Sequence, residues 1–239
     1  MACRGLLFCL LLVPFSVQAE RLFATTSLSY LNGSHYQLGD NQREVITLEQ
    51  ASVFDWGDWF LFIDRLKSAA GDDETYGEWA PRLKLPFLSP LEQDAGLLKG
   101  VYLATMLESG RALGKRFNNA LYGVGVGLNL SGFTYFNINL YRVENARWSD
   151  DEQMTLTWAY PFTLAGQQLL YDGFLDWSSA SAMHAAEMNF TSQLKWQLPV
   201  PQGWGDRLYL GLEYAHWNNK FGIAGVDERN PSILLKWHF

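Results

Sequence analysis

The sequence predicts an all-β fold: a 12-stranded antiparallel transmembrane β-barrel with both termini periplasmic. Three observations carry this. Apolar and polar residues alternate along most of the chain after residue 20, the period of a strand with one apolar face. Aromatics make up 15% of the 239 residues and Trp alone numbers 10, at a mean hydropathy of only −0.10. Rings in that number suit the two interfacial girdles of a membrane barrel. The alternating segments run to roughly 9–12 residues, the length of a tilted bilayer crossing; a soluble sandwich usually uses strands of about five or six.

Residues 1–19 read as a cleaved signal peptide, with Arg4 as the positive end, Gly5 to Phe15 as the apolar run and Val17-Gln18-Ala19 as the cleavage site. The apolar run is too short to span a bilayer. Both cysteines, Cys3 and Cys9, fall inside it, so disulfide, thiol-nucleophile and thiolate-metal chemistry are not expected in residues 20–239. Those residues form a single barrel domain. The net charge of −7 argues against nucleic acid as a partner.

The strands follow in order. The first is Leu22 to Leu31 and the second Glu44 to Val53, where Ile46 and Leu48 oppose Thr47 and Glu49. Phe54-Asp55 turns the chain into the third, Trp56 to Leu66, which sets Trp59, Leu61 and Ile63 against Asp58, Phe60, Phe62 and Asp64. A polar loop, Lys67 to Thr75, leads to the fourth, Tyr76 to Leu85, with Trp79 and Leu83 against Glu78, Arg82 and Lys84. After a link at Pro86 to Gly96, the fifth, Leu97 to Glu108, sets Val101, Leu103 and Leu107 against Tyr102, Met106 and Glu108. Ser109 to Asn118 reads as a basic loop.

The sixth strand, Asn119 to Leu130, alternates Tyr122, Val124, Val126 and Leu128 with Gly123, Gly125 and Gly127. A whole glycine row weakens a strand and points to a crowded or sharply curved inner wall. The seventh is Thr134 to Arg142, with Tyr135, Asn137, Asn139 and Tyr141 on the polar face. The eighth is Glu152 to Phe162, and the ninth is Gln168 to Ser178, with Asp172, Phe174 and Asp176 together. The tenth is Glu187 to Leu198 and the eleventh Arg207 to Trp217, with Tyr209 and Glu213 on one side. The twelfth runs from Ser232 to Phe239. There Ile233, Leu235, Trp237 and Phe239 form an apolar row against Ser232, Lys236 and His238, with Leu234 the exception. An outward apolar row on a last strand is how a membrane barrel closes on its first. The strand ending in Phe239 is the expected contact for the barrel assembly machinery, and outer membrane lipids are the expected surroundings.

If the apolar rows face lipid, the polar rows line a lumen holding Glu49, Asp58, Asp64, Glu78, Arg82, Lys84, Glu108, Asp172, Asp176, Lys195, Glu213, Lys236 and His238. For any one of these the plain role is to solvate and brace the barrel. The unusual feature is rings on the same face: Phe60 and Phe62 beside Asp58 and Asp64, and Phe174 between Asp172 and Asp176. A ring stacks on a flat heterocycle while a carboxylate accepts its N–H and hydroxyl protons. That combination suits a small, flat, amphipathic solute such as a nucleoside.

The stretches Thr47 to Ser52, Trp56-Gly57-Asp58 with Phe62-Ile63-Asp64-Arg65, and Tyr76-Gly77-Glu78 with Pro81-Arg82-Leu83 resemble the nucleoside-specific channel-forming outer membrane proteins, the Tsx-type porins. So do Asn139 to Arg142, Tyr171-Asp172-Gly173 with Asp176-Trp177, and Glu213-Tyr214 with Trp217. The resemblance implies a monomeric twelve-stranded barrel in the outer membrane of a Gram-negative bacterium. Its narrow pore would pass nucleosides or similar small solutes by diffusion, without cofactor or metal. It implies Phe60, Phe62 and Asp64 as pore-lining contacts, with Arg65 beside them. Asp58, Glu78, Arg82, Asp172, Phe174, Asp176 and Glu213 join them through the facing pattern. The family also contains phage-receptor-like barrels, so a surface receptor or adhesion protein that acts through its loops is the alternative. An enzyme is not expected. His35, His184 and His216 sit in loops or at a strand end, and His238 has no serine marked as its partner.

Overall fold

The computed structural model describes residues 20–71, 73–89, 96–112, 114–147, 149–201 and 207–239. The signal segment at 1–19 lies outside the described residues, as do Asp72 of the polar loop and 90–95 of the link. The described chain is a closed barrel of β1 (Arg21–Gly33), β2 (Arg43–Phe54), β3 (Gly57–Ser68), β4 (Glu74–Lys84), β5 (Leu98–Ala112), β6 (Lys115–Leu128), β7 (Tyr135–Glu144), β8 (Asp151–Leu164), β9 (Gln167–Ser178), β10 (Glu187–Gln197), β11 (Arg207–Asn218) and β12 (Glu228–His238). Each strand pairs antiparallel with its chain neighbours. β12 returns to β1, from Ser27 opposite His238 to Gly33 opposite Ser232. The N–H of Phe239 donates to the carbonyl of Thr26 at 3.0 Å and extends this seam. Closure leaves no strand edge, so the backbone satisfies itself as a lipid environment requires.

β12 shows how the faces separate. Glu228, Asn230, Ser232, Leu234 and Lys236 are buried, while Arg229, Pro231, Ile233, Leu235 and Trp237 are exposed. Directly opposed residues on paired strands share a face, so the inner row passes around the barrel. It runs from Lys236 to Ser29, from Ser27 to Glu49, from Glu49 to Phe62, and on to Glu78 and Glu108. The outer rows carry Leu48, Ile63, Trp79, Leu103, Val124, Leu140, Trp177, Leu194, Leu212 and Trp237, all exposed.

Three local features depart from the sequence reading. Ser109 to Asn118, expected as a loop, is mostly strand: β5 and β6 stay paired out to Ala112 opposite Lys115. The charged residues there mark the part of the hairpin that rises past the apolar band, and polarity alone reads as loop. The link after β4 holds a one-turn 3₁₀ helix, Pro86–Leu88. Its end is fixed by Ser89, whose hydroxyl donates to the Leu85 carbonyl at 2.9 Å and accepts from the Val101 N–H at 3.1 Å. His216, expected at a strand end, lies within β11 on the outer face, opposite Phe190. β8 joins β9 through Ala165 (φ 50°) and Gly166 (φ 78°), a two-residue turn with both φ angles positive, as the twist of the strands favours.

The glycine row of β6 does bend the wall. β5 and β7, which are not neighbours, approach each other across it. A Cβ on Gly123 would meet the Leu140 carbonyl oxygen at 1.9 Å, and one on Gly125 would meet Asn139 Oδ1 at 2.2 Å.

Candidate functional site

The inner wall holds all ten residues expected at the site: Asp58, Phe60, Phe62 and Asp64 on β3, Glu78 and Arg82 on β4, Asp172, Phe174 and Asp176 on β9, and Glu213 on β11. β3 and β9 are six strands apart in a ring of twelve, so the Phe60–Phe62 wall faces the Phe174 wall across the lumen. Arg65 is placed elsewhere. Its position after Asp64 turns it to the outer face, where its guanidinium pairs with Asp73 and donates to Thr75 Oγ1 at 3.0 Å.

The rings of β3 continue into a track. Phe60 and Phe62 have centroids 6.0 Å apart, Phe62 and Tyr76 5.7 Å, and Tyr76 and Phe117 6.0 Å. These are ordinary aromatic contact distances. The track therefore climbs from the middle of β3 through β4 to the outer end of β6. It depends on Gly110 of β5, which lies between Tyr76 and Phe117 in the register. A Cβ there would sit 2.6 Å from the Phe117 ring. Phe60, at the inner end, is 39% exposed although it faces inward, so its ring is open to lumen water. Tyr76 stood in the sequence only as part of a motif, and Phe117 lay hidden in the presumed basic loop.

Below the track Arg82, Lys195 and Lys236 are each paired with a carboxylate. Arg82 grips Asp58 with two hydrogen bonds, Nε to Oδ1 at 2.8 Å and Nη2 to Oδ2 at 2.6 Å, the fork geometry that suits guanidinium to carboxylate. It lies over the Tyr102 ring at 4.4 Å and reaches Asn137 and Asn139 on β7 at 3.3 and 3.4 Å. The arginine thus crosses the hollow left by the β6 glycines. Lys195, with 0% exposure, donates to Asp172 Oδ2 at 2.6 Å and to Gln193 Oε1 at 3.0 Å. Lys236 pairs with Glu49, which also accepts from Ser27 at 2.7 Å.

Above them the carboxylates are held by neutral groups. Thr47 donates to Asp64 at 2.6 Å, Tyr76 to Glu78 at 2.5 Å, Thr155 to Asp176 at 2.5 Å, Asn119 to Glu108 at 3.0 Å, and Gln193 to Glu213 at 2.7 Å. Two apolar clusters flank this level on the inner face. One is Leu31, Val45 and Leu234 with Leu66, and the other is Met106, Leu121, Tyr141 and Val143. The exception noted on β12, Leu234, belongs to the first.

The mouth is shaped by the segment between β1 and β2. Tyr36 packs on the Leu31 cluster, and the N–H groups of His35 and Gln37 donate to Asn230 at 3.0 Å and to Glu228 at 2.9 Å. Arg43 holds the carbonyls of Asp40 and Leu38 and pairs with Glu74 at 2.9 Å. Burial pushes the Tyr36 phenol up to about 12. Burial also pulls the Lys220 ammonium below its ordinary value, although Lys220 pairs with Glu228 at 2.6 Å. Among the described residues, no group of three or more His, Cys, Asp or Glu side chains is placed to hold a metal ion.

A family model described as the nucleoside-specific channel-forming protein, Tsx, matches residues 26–231. Outer membrane protein OmpK of Vibrio parahaemolyticus is 23% identical over 169 residues, 66% of this chain. The chain spans 60% of the length of that relative. Two solved porins share the fold. The KdgM porin has a TM-score of 0.52 at 10% identity, over 89% of this chain and 99% of its own. The NanC porin has a TM-score of 0.50 at 11% identity, over 90% and 99%.

Proposed function

Because the chain belongs to the family of the nucleoside-specific channel-forming protein Tsx, we propose that this outer membrane channel passes nucleosides, or similarly small flat solutes, by passive diffusion along its aromatic track. The fold and family are those of channel porins, which are not enzymes. The observation that carries the reading is the run Phe60–Phe62–Tyr76–Phe117 on the inner face, with Asp64 and Glu78 in the same rows. A base can move from ring to ring while keeping one face stacked, because every base offers a π-face. Hydroxyl and N–H groups exchange between Asp64, Glu78 and, from the opposite wall, Asp172 and Asp176. Phe174 offers a second flat surface there. Binding steps of this kind speed diffusion only when each is weak enough to release. Arg82 and Asp58, locked on one another, define the shape of the lower lumen.

Uptake into proteoliposomes tests this. Adenosine should enter faster than a hexose through the wild-type channel, and Phe60→Ala with Phe62→Ala should reduce the difference. Equal uptake of both solutes would refute a stacking track. No uptake of either would favour a barrel acting through its loops as a surface receptor.

A further inference from the structure

The charged tip of the β5–β6 hairpin lies on the lipid side of the wall. Gly110 and Phe117 belong to the inner face, so Arg111 and Arg116 beside them turn outward, directly opposite one another on the two strands. Both are exposed. Like charges in directly opposed positions cost stability. Among the described residues no carboxylate lies within ion-pair distance of either. The outward arginines elsewhere on this rim are matched. Arg65, in the same row through Thr75, pairs with Asp73. Arg142 faces Glu152 and pairs with Asp150 at 3.7 Å. Arg229 donates to the Trp217 carbonyl and to Asn218 Oδ1. Below Arg111 and Arg116 the outer face changes in steps. Two residues nearer the membrane, Ser109 donates to Asn118 Oδ1 at 2.8 Å. The next opposed pairs are Leu107 with Ala120, Thr105 with Tyr122 and Leu103 with Val124. Leu103, Leu107, Tyr122 and Val124 are exposed there. From the tip down, the surface offers two guanidiniums, then a hydroxyl and an amide, then hydrocarbon.

We propose that this strip is a binding site for a phosphorylated glycolipid of the outer leaflet. A phosphate is held between Arg111 and Arg116, sugar hydroxyls meet Ser109 and Asn118, and acyl chains lie along Leu107, Tyr122 and Leu103. Guanidinium forks match phosphate oxygens, and an anion between the two arginines removes their mutual repulsion. Asn118 accepts from Ser109 through Oδ1, which leaves its amide N–H groups as donors to the headgroup. A free phosphate ion gains only from the two arginines, whereas a lipid gains at all three levels. Basic clusters at a membrane surface attract anionic lipids by the same physics. The site is on the lipid face, so it stands whether or not the lumen conducts.

The test is a titration of the refolded barrel, in uncharged detergent micelles, with lipid A carrying two phosphates, the bound lipid being followed by native mass spectrometry. The wild type should bind this lipid more tightly than a dephosphorylated lipid with the same acyl chains. Arg111→Gln with Arg116→Gln should raise the apparent dissociation constant about 30-fold, and either change alone about 5-fold. The single variants carry the test if the double variant does not refold. Arg142→Gln with Arg229→Gln, which removes matched arginines of the same rim, should leave the constant unchanged. Millimolar inorganic phosphate should not displace the lipid. Equal affinity for the dephosphorylated lipid, or an unchanged constant in the Arg111 and Arg116 variants, would overturn the site. So would an equal loss in the two double variants, which would mean rim charge in general. Displacement by inorganic phosphate would reduce the site to one for the free ion and overturn the lipid reading.

Discussion

Arg82→Met removes a side chain that crosses the bent part of the wall from β4 to β7. In the wild type its guanidinium makes the two bonds to Asp58, lies over Tyr102 and touches Asn137 and Asn139. Methionine keeps most of the volume and none of the charge. Removing one partner of a buried pair costs about 3–5 kcal/mol, because the other charge is left uncompensated. The Asp58 side chain remains 21% exposed, so lumen water rehydrates part of it, and about 2–4 kcal/mol is the expected loss. Asp58→Asn in the same chain removes the stranded charge, and the double variant should recover at least ~1 kcal/mol as the coupling between the two sites. Equilibrium urea unfolding in phospholipid vesicles, followed by the fluorescence of the 10 tryptophans, measures both. A single variant within about 0.5 kcal/mol of the parent, the range of an ordinary surface change, would refute the bridging role of Arg82. So would a double variant no more stable than the single one.

Further outcomes follow from the same geometry. Phe62→Ala should raise the apparent dissociation constant for adenosine about 5- to 150-fold, from the ~1–3 kcal/mol of a base–aromatic stack, and Phe62→Trp should not; titrated channel block measures it. Gly125→Val should lower the unfolding midpoint, since its Cβ would meet Asn139 Oδ1 at 2.2 Å, whereas Gly127→Ala meets nothing closer than 3.4 Å and should be tolerated. At the mouth, Tyr36 keeps its proton to about 12 when folded, against the ordinary 10 when unfolded. The folded chain then holds more protons between pH 10 and 12, so Tyr36 contributes stability below pH 10 that is lost as pH rises toward 12. Tyr36→Phe should flatten that part of the unfolding profile.

The legible part of this molecule was what a period of two can carry. Asp58, Phe60, Phe62 and Asp64 are four alternate residues, and so are Ile233, Leu235, Trp237 and Phe239, so their faces follow once lipid or lumen is assigned. What stayed hidden depends on register or on reversals of the pattern. Lys236 meets Glu49 only because β12 and β2 both pair with β1. Asp176 and Glu78 share one lumen only because the ring closes and sets β9 and β4 on opposite sides of it. Leu31, Val45 and Leu234 are apolar residues on the polar face, buried by one another and by Tyr36 from a loop, and a local inversion of that kind reads as noise. Phe117 was hidden among Lys115, Arg116 and Asn118, whose polarity suggested a loop. The glycines of β6 signalled a crowded wall, but not that an arginine from two strands away would fill the space.

The central claim is a channel whose aromatic wall binds the solute it passes. Single-channel conductance of residues 20–239 in a planar bilayer, with adenosine and then a hexose titrated in, tests it most directly. Saturable block by adenosine and none by the hexose is the predicted result; an open channel indifferent to both, or a barrel with no conductance, would contradict it.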